Sequence, residues 1–218
     1  GSSKSIDELY RGLNNLAEHH LQLGDSNSPT VIYERVRGLA REYGHAAQLR
    51  WVDGQDVVHQ FLLGNWDRSL ELAGRMIAAE AVEQAHYLSV NAYQMRAQIG
   101  HARGEPGALA ESERAVGYAR RIGDAQALGP ALASHALLLA LDGDRVNAQK
   151  LLQEVIDFYT ANPTAPYTWA PPLVWAFAAV GDPEVYLTLL EREGRTPWFD
   201  AARATCAGDF VTAAEIYA

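Results

Sequence analysis

A short sequence pattern recurs along this chain, in which one helical segment ends at a glycine and another begins. This pattern constrains the fold more than any other feature. It occurs five times, at Gly64, Gly104, Gly143, Gly181 and Gly208, with a polar residue after each glycine. The successive glycines are 40, 39, 38 and 27 residues apart. Three nearly equal steps indicate tandem structural repeats.

Each part of the pattern has a physical role in a turn between two helices. Glycine adopts the left-handed backbone conformation that ends a helix without a steric penalty. The Asp, Asn or Glu that follows places an acceptor or a negative charge beside the first turn of the next helix. Five residues after the glycine, paired helices are expected to touch, and a small residue there permits close approach. The residues at this position are Ser69, Leu109, Ala148, Tyr186 and Ala213, of which Tyr186 fits least well.

The segments between the turns carry apolar residues at the three- and four-residue steps of an amphipathic helix, as at Leu70 and Ala73. A polar residue also marks the expected start of the first helix in three repeats. It lies 19, 18 and 19 residues before the first three glycines, at His45, His86 and Asp124. The repeat register is therefore marked at both ends of the first helix.

Two further helices are predicted ahead of the first clear repeat. Residues 6–23 have the pattern of one amphipathic helix, and Ser28 and Pro29 open another that runs to about Tyr43. Prolines between residues 162 and 173 predict a loop and a displaced helix start. A strand-rich fold would need long alternating runs of β-branched residues, and the sequence contains none. The sequence thus predicts twelve helices in six pairs.

The balance of charged and apolar residues excludes several classes of partner. Apolar residues make up 48% of the 218 residues, which is enough for a core. The formal net charge is −9, so binding to nucleic acid or to an anionic membrane lacks its main driving force. The longest apolar stretch, residues 168–180, contains prolines and is too short to cross a bilayer. The single cysteine, Cys206, cannot form an intrachain disulfide, which fits a reducing cytoplasm.

We expect no catalytic residues, no metal site and no cofactor. Glu42 and His45, and again Glu83 and His86, have the spacing of carboxylate-bridged di-iron ligands. Both pairs fall at turns between helices, however, and two further inward glutamates would be needed. Ser112 lacks the context of a nucleophile elbow. The Gly-x-x-x-x-Gly-Lys-Ser/Thr phosphate loop does not occur either.

The stretch 208–214, Gly-Asp-Phe-Val-Thr-Ala-Ala, is similar to the turn and second-helix opening of a tetratricopeptide (TPR) motif, and residues 143–152 are nearly as close. With a period near 39, residues 45–218 resemble the longer repeats of large bacterial signalling proteins. These are LuxR-type transcription activators of the maltose-regulator kind and multidomain adenylate or guanylate cyclases. Residues 119–128 and 138–144 have the same character. The resemblance implies an all-α fold, a right-handed α-α superhelix of about six antiparallel helix pairs.

Residues 5–218 are expected to form a single solenoid of this type. Residues 1–4 are expected to be a cleavage scar from an expression vector and a flexible start. We also expect the chain to be a fragment of a longer protein, because residues 213–218 stop early in a helix and no polar capping helix follows.

Stacked helix pairs usually bind partners on the wall formed by the first helix of each pair. By analogy with TPR geometry, the residues three, six, ten and thirteen positions before a turn glycine face that wall. The predicted groove residues are Trp51, Phe61, Asn91, Gln94, Gln98, His101 and Trp175. A polar quartet flanked by aromatic residues would suit an extended or helical peptide, although the two tryptophans also fit a role in the core.

These features predict a non-catalytic interaction and regulatory module of a cytoplasmic bacterial signal-transduction or transcription-regulatory protein. Its partner would be a protein or a peptide, or the ATPase or cyclase domain of its own parent protein. The alternative is an inducer-sensing domain of a LuxR-type activator, in which a small-molecule effector enters between repeats and changes their curvature. An enzyme would need a reactive group with a positioned partner, and we identify none in the sequence.

Overall fold

The computed structural model of this protein describes residues 2–80, 87–162, 171–190 and 196–217. These residues form twelve α-helices and no strand. The helices are α1 (Ser2–Gln22), α2 (Ser28–Glu42), α3 (Ala46–Leu62), α4 (Trp66–Glu80), α5 (Ser89–Ala102), α6 (Ala108–Ile122), α7 (Ala125–Leu141), α8 (Arg145–Ala161), α9 (Pro171–Val180), α10 (Pro183–Leu190), α11 (Pro197–Cys206) and α12 (Phe210–Tyr217). The prediction of an all-α fold with twelve helices is confirmed.

The helices form two compact units, Gly1–Met95 and Arg96–Ala218. In the first unit α1 packs against α2, α2 against α3, and α3 against α4. In the second unit α6 packs against α7, α7 against α8 and α9, and α9 against α10 and α11, while α11 packs against α12. Helices therefore pack in pairs with their neighbours in sequence, as in a helical repeat. The expectation of one solenoid over residues 5–218 stays a prediction.

All five predicted turn glycines have a positive φ and end a helix in the same way. At Gly64 (φ 75°), its own amide donates to the carbonyl oxygen of Phe61 at 3.0 Å, and the amide of Asn65 donates to the carbonyl oxygen of Gln60 at 2.9 Å. The same two hydrogen bonds occur at Gly24, Gly44, Gly104, Gly143, Gly181 and Gly208. They pair carbonyl groups that would otherwise be left without partners at the helix end.

Two of the acidic residues that follow the turn glycines, Asp144 and Asp209, cap the next helix as predicted, whereas α6 has Gly107 at its N-cap in place of Glu105. The side chain of Asp144 accepts a hydrogen bond from the amide of Asn147 at 3.1 Å. Asp209 accepts one from the amide of Thr212, also at 3.1 Å. Each carboxylate thus pairs one of the amides that a helix leaves free in its first turn.

The position five residues after the glycine is buried in four of the five turns, namely at Ser69, Ala148, Tyr186 and Ala213. The ring of Tyr186, the poorest fit to the pattern, stacks on Phe177 of the preceding helix with centroids 5.5 Å apart. Leu109 is only half-buried, and the buried small residues nearest to it in α6 are Ala108 and Ser112. The prediction is displaced there because Pro106 and Gly107 lengthen the turn, so α6 begins four residues after Gly104.

Within the described ranges, no helix combines the length and the apolar character needed to cross a membrane. The prolines near residue 171 were expected to displace a helix start, and α9 does begin at Pro171. Pro166 lies outside the described residues.

We predict that Gly54→Ala lowers the free energy of unfolding by about 2 kcal/mol, because overpacking a filled core costs about that much. A Cβ atom at Gly54 would lie 2.7 Å from the Cβ atom of Leu88 and 2.9 Å from the Cε atom of Met76. Gly74→Ala is the control, since no neighbouring atom lies within 4 Å of a Cβ placed there. This exposed helical position should gain up to about 1 kcal/mol. Urea unfolding measures both changes, and equal stability of the two variants would contradict the prediction.

Candidate functional site

Two of the predicted groove residues, Trp51 and Phe61, lie on α3 and are half-buried. The indole Nε1 atom of Trp51 donates a hydrogen bond to the hydroxyl oxygen of Tyr87 at 2.8 Å. The ring of Phe61 lies parallel to that of Trp66, with an interplanar angle of 9° and centroids 6.2 Å apart. Trp51, Phe61 and Tyr87 all pack against one buried cluster of the first unit. We call Trp51, Phe61, Trp66 and Tyr87 the α3 aromatic face.

Asn91 and Gln94 are the predicted groove residues on the first-unit part of α5. The Nδ2 atom of Asn91 donates to the carbonyl oxygen of Gly54 at 3.3 Å, so Asn91 meets α3 between Trp51 and Phe61. Gln94 is 3% exposed, and its buried Nε2 atom has no hydrogen-bond partner. The structure thus brings Trp51, Phe61 and Asn91 together around α3, while Gln94 points into the protein.

The other three predicted groove residues belong to the second unit. Gln98 is 7% exposed, and its Nε2 atom donates to the hydroxyl oxygen of Ser134 on α7 at 3.0 Å. His101 lies half-buried in the last turn of α5, and Trp175 lies half-buried on α9. Because Gln98 is engaged with α7, a partner would reach its amide only after displacing Ser134. That these residues bind a partner stays a prediction.

A buried ionic network joins α2 to α3, and the sequence analysis missed it. The Nη2 atom of Arg37 donates to Asp56 Oδ2 at 2.6 Å, and its Nε atom donates to Asp53 Oδ1 at 2.9 Å. Arg37 and Asp56 are both buried. The signal was the place of Arg37 in α2, three residues before Ala40 and four after Tyr33, where an amphipathic helix has an apolar residue. We call Arg37, Asp53, Asp56 and His59 the Arg37 network.

The charges in the Arg37 network stabilise one another. Burial by itself would raise the pKa of Asp56, but hydrogen bonds from His59, Gln60 and Arg37 outweigh it and hold that pKa below its usual value. Burial would likewise lower the pKa of Arg37, and the carboxylates of Asp56 and Asp53 raise it instead. Both groups are therefore ionised at neutral pH.

His59 extends this network to the turn before α2. Its ring is fully buried, with Nδ1 3.3 Å from Asp56 Oδ1 and Nε2 2.9 Å from the carbonyl oxygen of Ser26. The ring also makes an edge contact with Tyr33, with centroids 5.6 Å apart. Both ring nitrogens are thus engaged with atoms of the protein itself, and the network fixes α2 against α3.

A second polar contact, between Ser112 and His135, joins α6 to α7. The hydroxyl oxygen of Ser112 lies 2.7 Å from His135 Nδ1, and it donates a hydrogen bond to the carbonyl oxygen of Leu109 at 2.9 Å. Ser112 is buried, and burial lowers the pKa of His135. A buried hydroxyl that donates to its own helix is poorly placed to act as a nucleophile. Similarly, burial raises the pKa of the Cys206 thiol to about 11, so it stays protonated.

In the described part of the chain, no three His, Cys, Asp or Glu side chains converge so that they could hold a metal ion. Glu42 and His45 lie at the turn between α2 and α3, where the His45 ring makes an edge contact with Tyr10 at 5.7 Å between centroids. Glu83 and His86 lie outside the described residues.

Comparison with known proteins identifies no family for this chain. No protein-family model matches it, and a search of curated proteins finds no significant match. The sequential packing of helix pairs therefore supports a helical-repeat architecture without assigning a family.

We predict that Asp56→Asn lowers the free energy of unfolding by about 2 kcal/mol at pH 7, because it removes the one buried carboxylate among the three that pair with Arg37, and a hydrogen bond to a charged group contributes about that much. The pKa of Asp56 is lowered in the folded state, so its contribution is present above the unfolded pKa and is lost as pH falls through the folded pKa. The difference between the wild type and Asp56→Asn should therefore shrink below about pH 4.

Urea unfolding at a series of pH values measures this difference. Glu71→Gln is the control, since Glu71 pairs with Arg68 and Arg75 on the exposed surface and such pairs contribute little. A stability loss in Asp56→Asn that is small at pH 7, or that is the same at pH 7 and pH 3, would contradict a buried ionic role for Asp56.

Proposed function

We propose that this chain is a non-catalytic helical-repeat module that binds a protein or peptide through the α3 aromatic face. It would belong to a cytoplasmic bacterial signal-transduction or transcription-regulatory protein and could act on the ATPase or cyclase domain of that parent. The observation that carries the proposal is the half-exposed pair of rings at Trp51 and Phe61, each held in place by a neighbouring side chain.

Rings held in this way are suited to recognition. Side chains that are already ordered lose little conformational entropy when a partner binds. Tryptophan is also among the residues that most often dominate the binding energy of interfaces. Trp51 has its polar atom satisfied by Tyr87, so its exposed ring surface can accept apolar side chains at no cost in hydrogen bonds.

The assignment to a bacterial signalling protein depends on the resemblance of residues 45–218 to the repeats of LuxR-type activators and of multidomain cyclases. Two features agree with it. The first is that helix pairs follow one another with the same glycine turn. The second is that the polar residues around Arg37 and Ser112 form hydrogen bonds that hold neighbouring helices together within each unit. A module of this kind would leave any ATP hydrolysis or nucleotide cyclisation to other domains of its parent.

The second candidate function is the sensing of a small-molecule inducer, and Gln94 favours it. A buried amide without a hydrogen-bond partner costs free energy, and a polar ligand that enters the protein could pair with it. A thermal-shift screen with sugars and nucleotides tests this function, because a ligand that binds the folded form raises the Tm. If no compound gives a shift that Gln94→Leu abolishes, the sensing function is rejected.

We predict that Phe61→Ala weakens peptide binding about tenfold or more, as loss of a central aromatic anchor does. Peptides selected on the immobilised protein from a displayed random library provide the probe, and fluorescence anisotropy of the labelled peptides measures the Kd. Tyr43→Ala is the matched control, because Tyr43 is an exposed aromatic residue of the same unit that lies outside the α3 aromatic face. This variant should bind the peptides as the wild type does.

Circular dichroism of both variants checks that helicity is retained. Failure to select any peptide would overturn the proposal, as would peptides that bind Phe61→Ala and the wild type equally well.

A further inference from the structure

The buried ring of His59 lies between two hydrogen-bond acceptors, one at each ring nitrogen. Nδ1 lies 3.3 Å from the carboxyl oxygen Oδ1 of Asp56, and Nε2 lies 2.9 Å from the carbonyl oxygen of Ser26. A neutral imidazole carries a single N–H group, so its other nitrogen presents a lone pair. In a neutral ring, one of these two contacts would therefore set a nitrogen lone pair against an oxygen lone pair.

Asp56 does not supply the missing hydrogen, because both of its carboxyl oxygens already accept hydrogen bonds. Oδ1 accepts from the Nε2 atom of Gln60 at 2.9 Å, and Oδ2 accepts from the Nη2 atom of Arg37 at 2.6 Å. Burial would raise the pKa of Asp56, but its hydrogen bonds hold that pKa below the usual value. Asp56 is therefore a carboxylate, and both contacts of the His59 ring need a proton on the ring itself.

The charges of the Arg37 network balance when both nitrogens of His59 carry a proton. Arg37 contributes one positive charge, and Asp53 and Asp56 contribute one negative charge each. A buried charge without a compensating partner is costly, and the ring of His59 is fully buried beside Asp56. An imidazolium at His59 brings the total charge of the four side chains to zero.

The elements that pack around His59 bring other titratable groups near it. The ring of Tyr33 on α2 makes the edge contact with His59, and burial raises the pKa of the Tyr33 hydroxyl, which stays neutral. The charged or titratable side chains that reach solvent are Glu18 on α1, His20 and Asp25 at the turn before α2, Glu34 on α2 and Arg75 on α4. Water and salt screen these exposed charges, so the direct contacts with Asp56 and Ser26 decide how many protons His59 holds.

His135, in the contact between α6 and α7, has a different arrangement. Its Nδ1 atom lies 2.7 Å from the hydroxyl oxygen of Ser112. A hydroxyl group can both donate and accept a hydrogen bond, so a neutral imidazole satisfies this contact in either tautomer. The contact of His135 therefore requires no second ring proton, whereas the two contacts of His59 do.

We propose that His59 is a buried proton-binding site, whose imidazolium ties the turn before α2 to α3. Nδ1–H donates to Asp56, and Nε2–H donates to the carbonyl oxygen of Ser26. When the ring loses a proton, Asp56 retains the one on Nδ1, because a hydrogen bond to a charged acceptor is the stronger of the two. Nε2 then presents a lone pair to Ser26, and that contact opens. This site makes the turn sensitive to alkaline pH, and it does not depend on the proposed function.

NMR spectroscopy of the wild type counts the protons on the ring directly. With isotopically labelled histidine, His59 should show two ring N–H groups at pH 7, and His59→Gln identifies its signals by their loss. Both protons should exchange slowly with water, because the ring is fully buried. A single N–H group on the His59 ring at pH 7 would overturn the proposal.

A pH titration tests the link between the proton and the turn. The amide group of Asn27 shares a peptide bond with the carbonyl group of Ser26, so its chemical shift reports the hydrogen bond that this oxygen accepts. As the pH rises from about 7 to about 10, the Asn27 signal should move in step with the loss of one His59 ring proton. An Asn27 signal that stays fixed while the ring loses a proton would refute the link.

Two histidine variants complete the titration. In His59→Gln, the Asn27 signal should stay constant over the same pH range, because the group that titrates is gone. His19→Gln is the matched control, since His19 is an exposed histidine of α1, and its titration should follow that of the wild type. An Asn27 signal that moves equally in His59→Gln and in the wild type would show that another group controls the turn, and the proposal would be wrong.

Discussion

The two backbone hydrogen bonds at each turn glycine determine the direction in which the chain continues, and the packing of the helices depends on that direction. At Gly143, the amide of Asp144 donates to the carbonyl oxygen of Leu139 at 2.8 Å, which closes α7 and turns the chain back. The next helix then returns with its apolar residues toward the helix just finished. Neither helix buries its apolar face alone, because a helix of this length gains most of its stability from packing. Each pair therefore depends on its neighbours.

Polar contacts between successive pairs add a requirement for register. The residue eight positions before the turn glycine makes such a contact in two cases. Asp56, before Gly64, forms an ion pair with Arg37, and the imidazole of His135, before Gly143, contacts the hydroxyl group of Ser112. A buried ion pair adds little net stability compared with well-packed apolar side chains. Its geometry is more demanding, however, because a shift of one residue would leave a charge buried without its partner. The Arg37 network thus fixes which residues of α2 and α3 lie opposite one another.

Most of the helices could be predicted from the sequence, because glycine spacing and apolar periodicity depend on residues close together in the chain and can be read from one sequence. The start of α6 was displaced because Pro106 and Gly107 lengthen one turn without changing the pattern on either side. The groove residues could be placed on a helix face by counting, but counting does not give the distance to the next helix. Counting therefore could not predict that Gln98 is engaged by Ser134 or that Gln94 is buried. The Arg37 network was missed because its carboxylates come from a different helix, sixteen and nineteen residues further along the chain.

The surroundings of the turn glycines bear on how such a repeat can change during evolution. At Gly64, Gly104 and Gly143, no atom lies within 4 Å of the place where a Cβ would stand. Space therefore does not exclude a side chain there. Only the left-handed backbone disfavours one, by roughly 1–2 kcal/mol for most residues and by less for asparagine. Repeats of this kind can consequently lose their glycines one at a time while keeping every turn. Two descendants of one ancestor could then share the same helical architecture with almost no recognisable sequence in common.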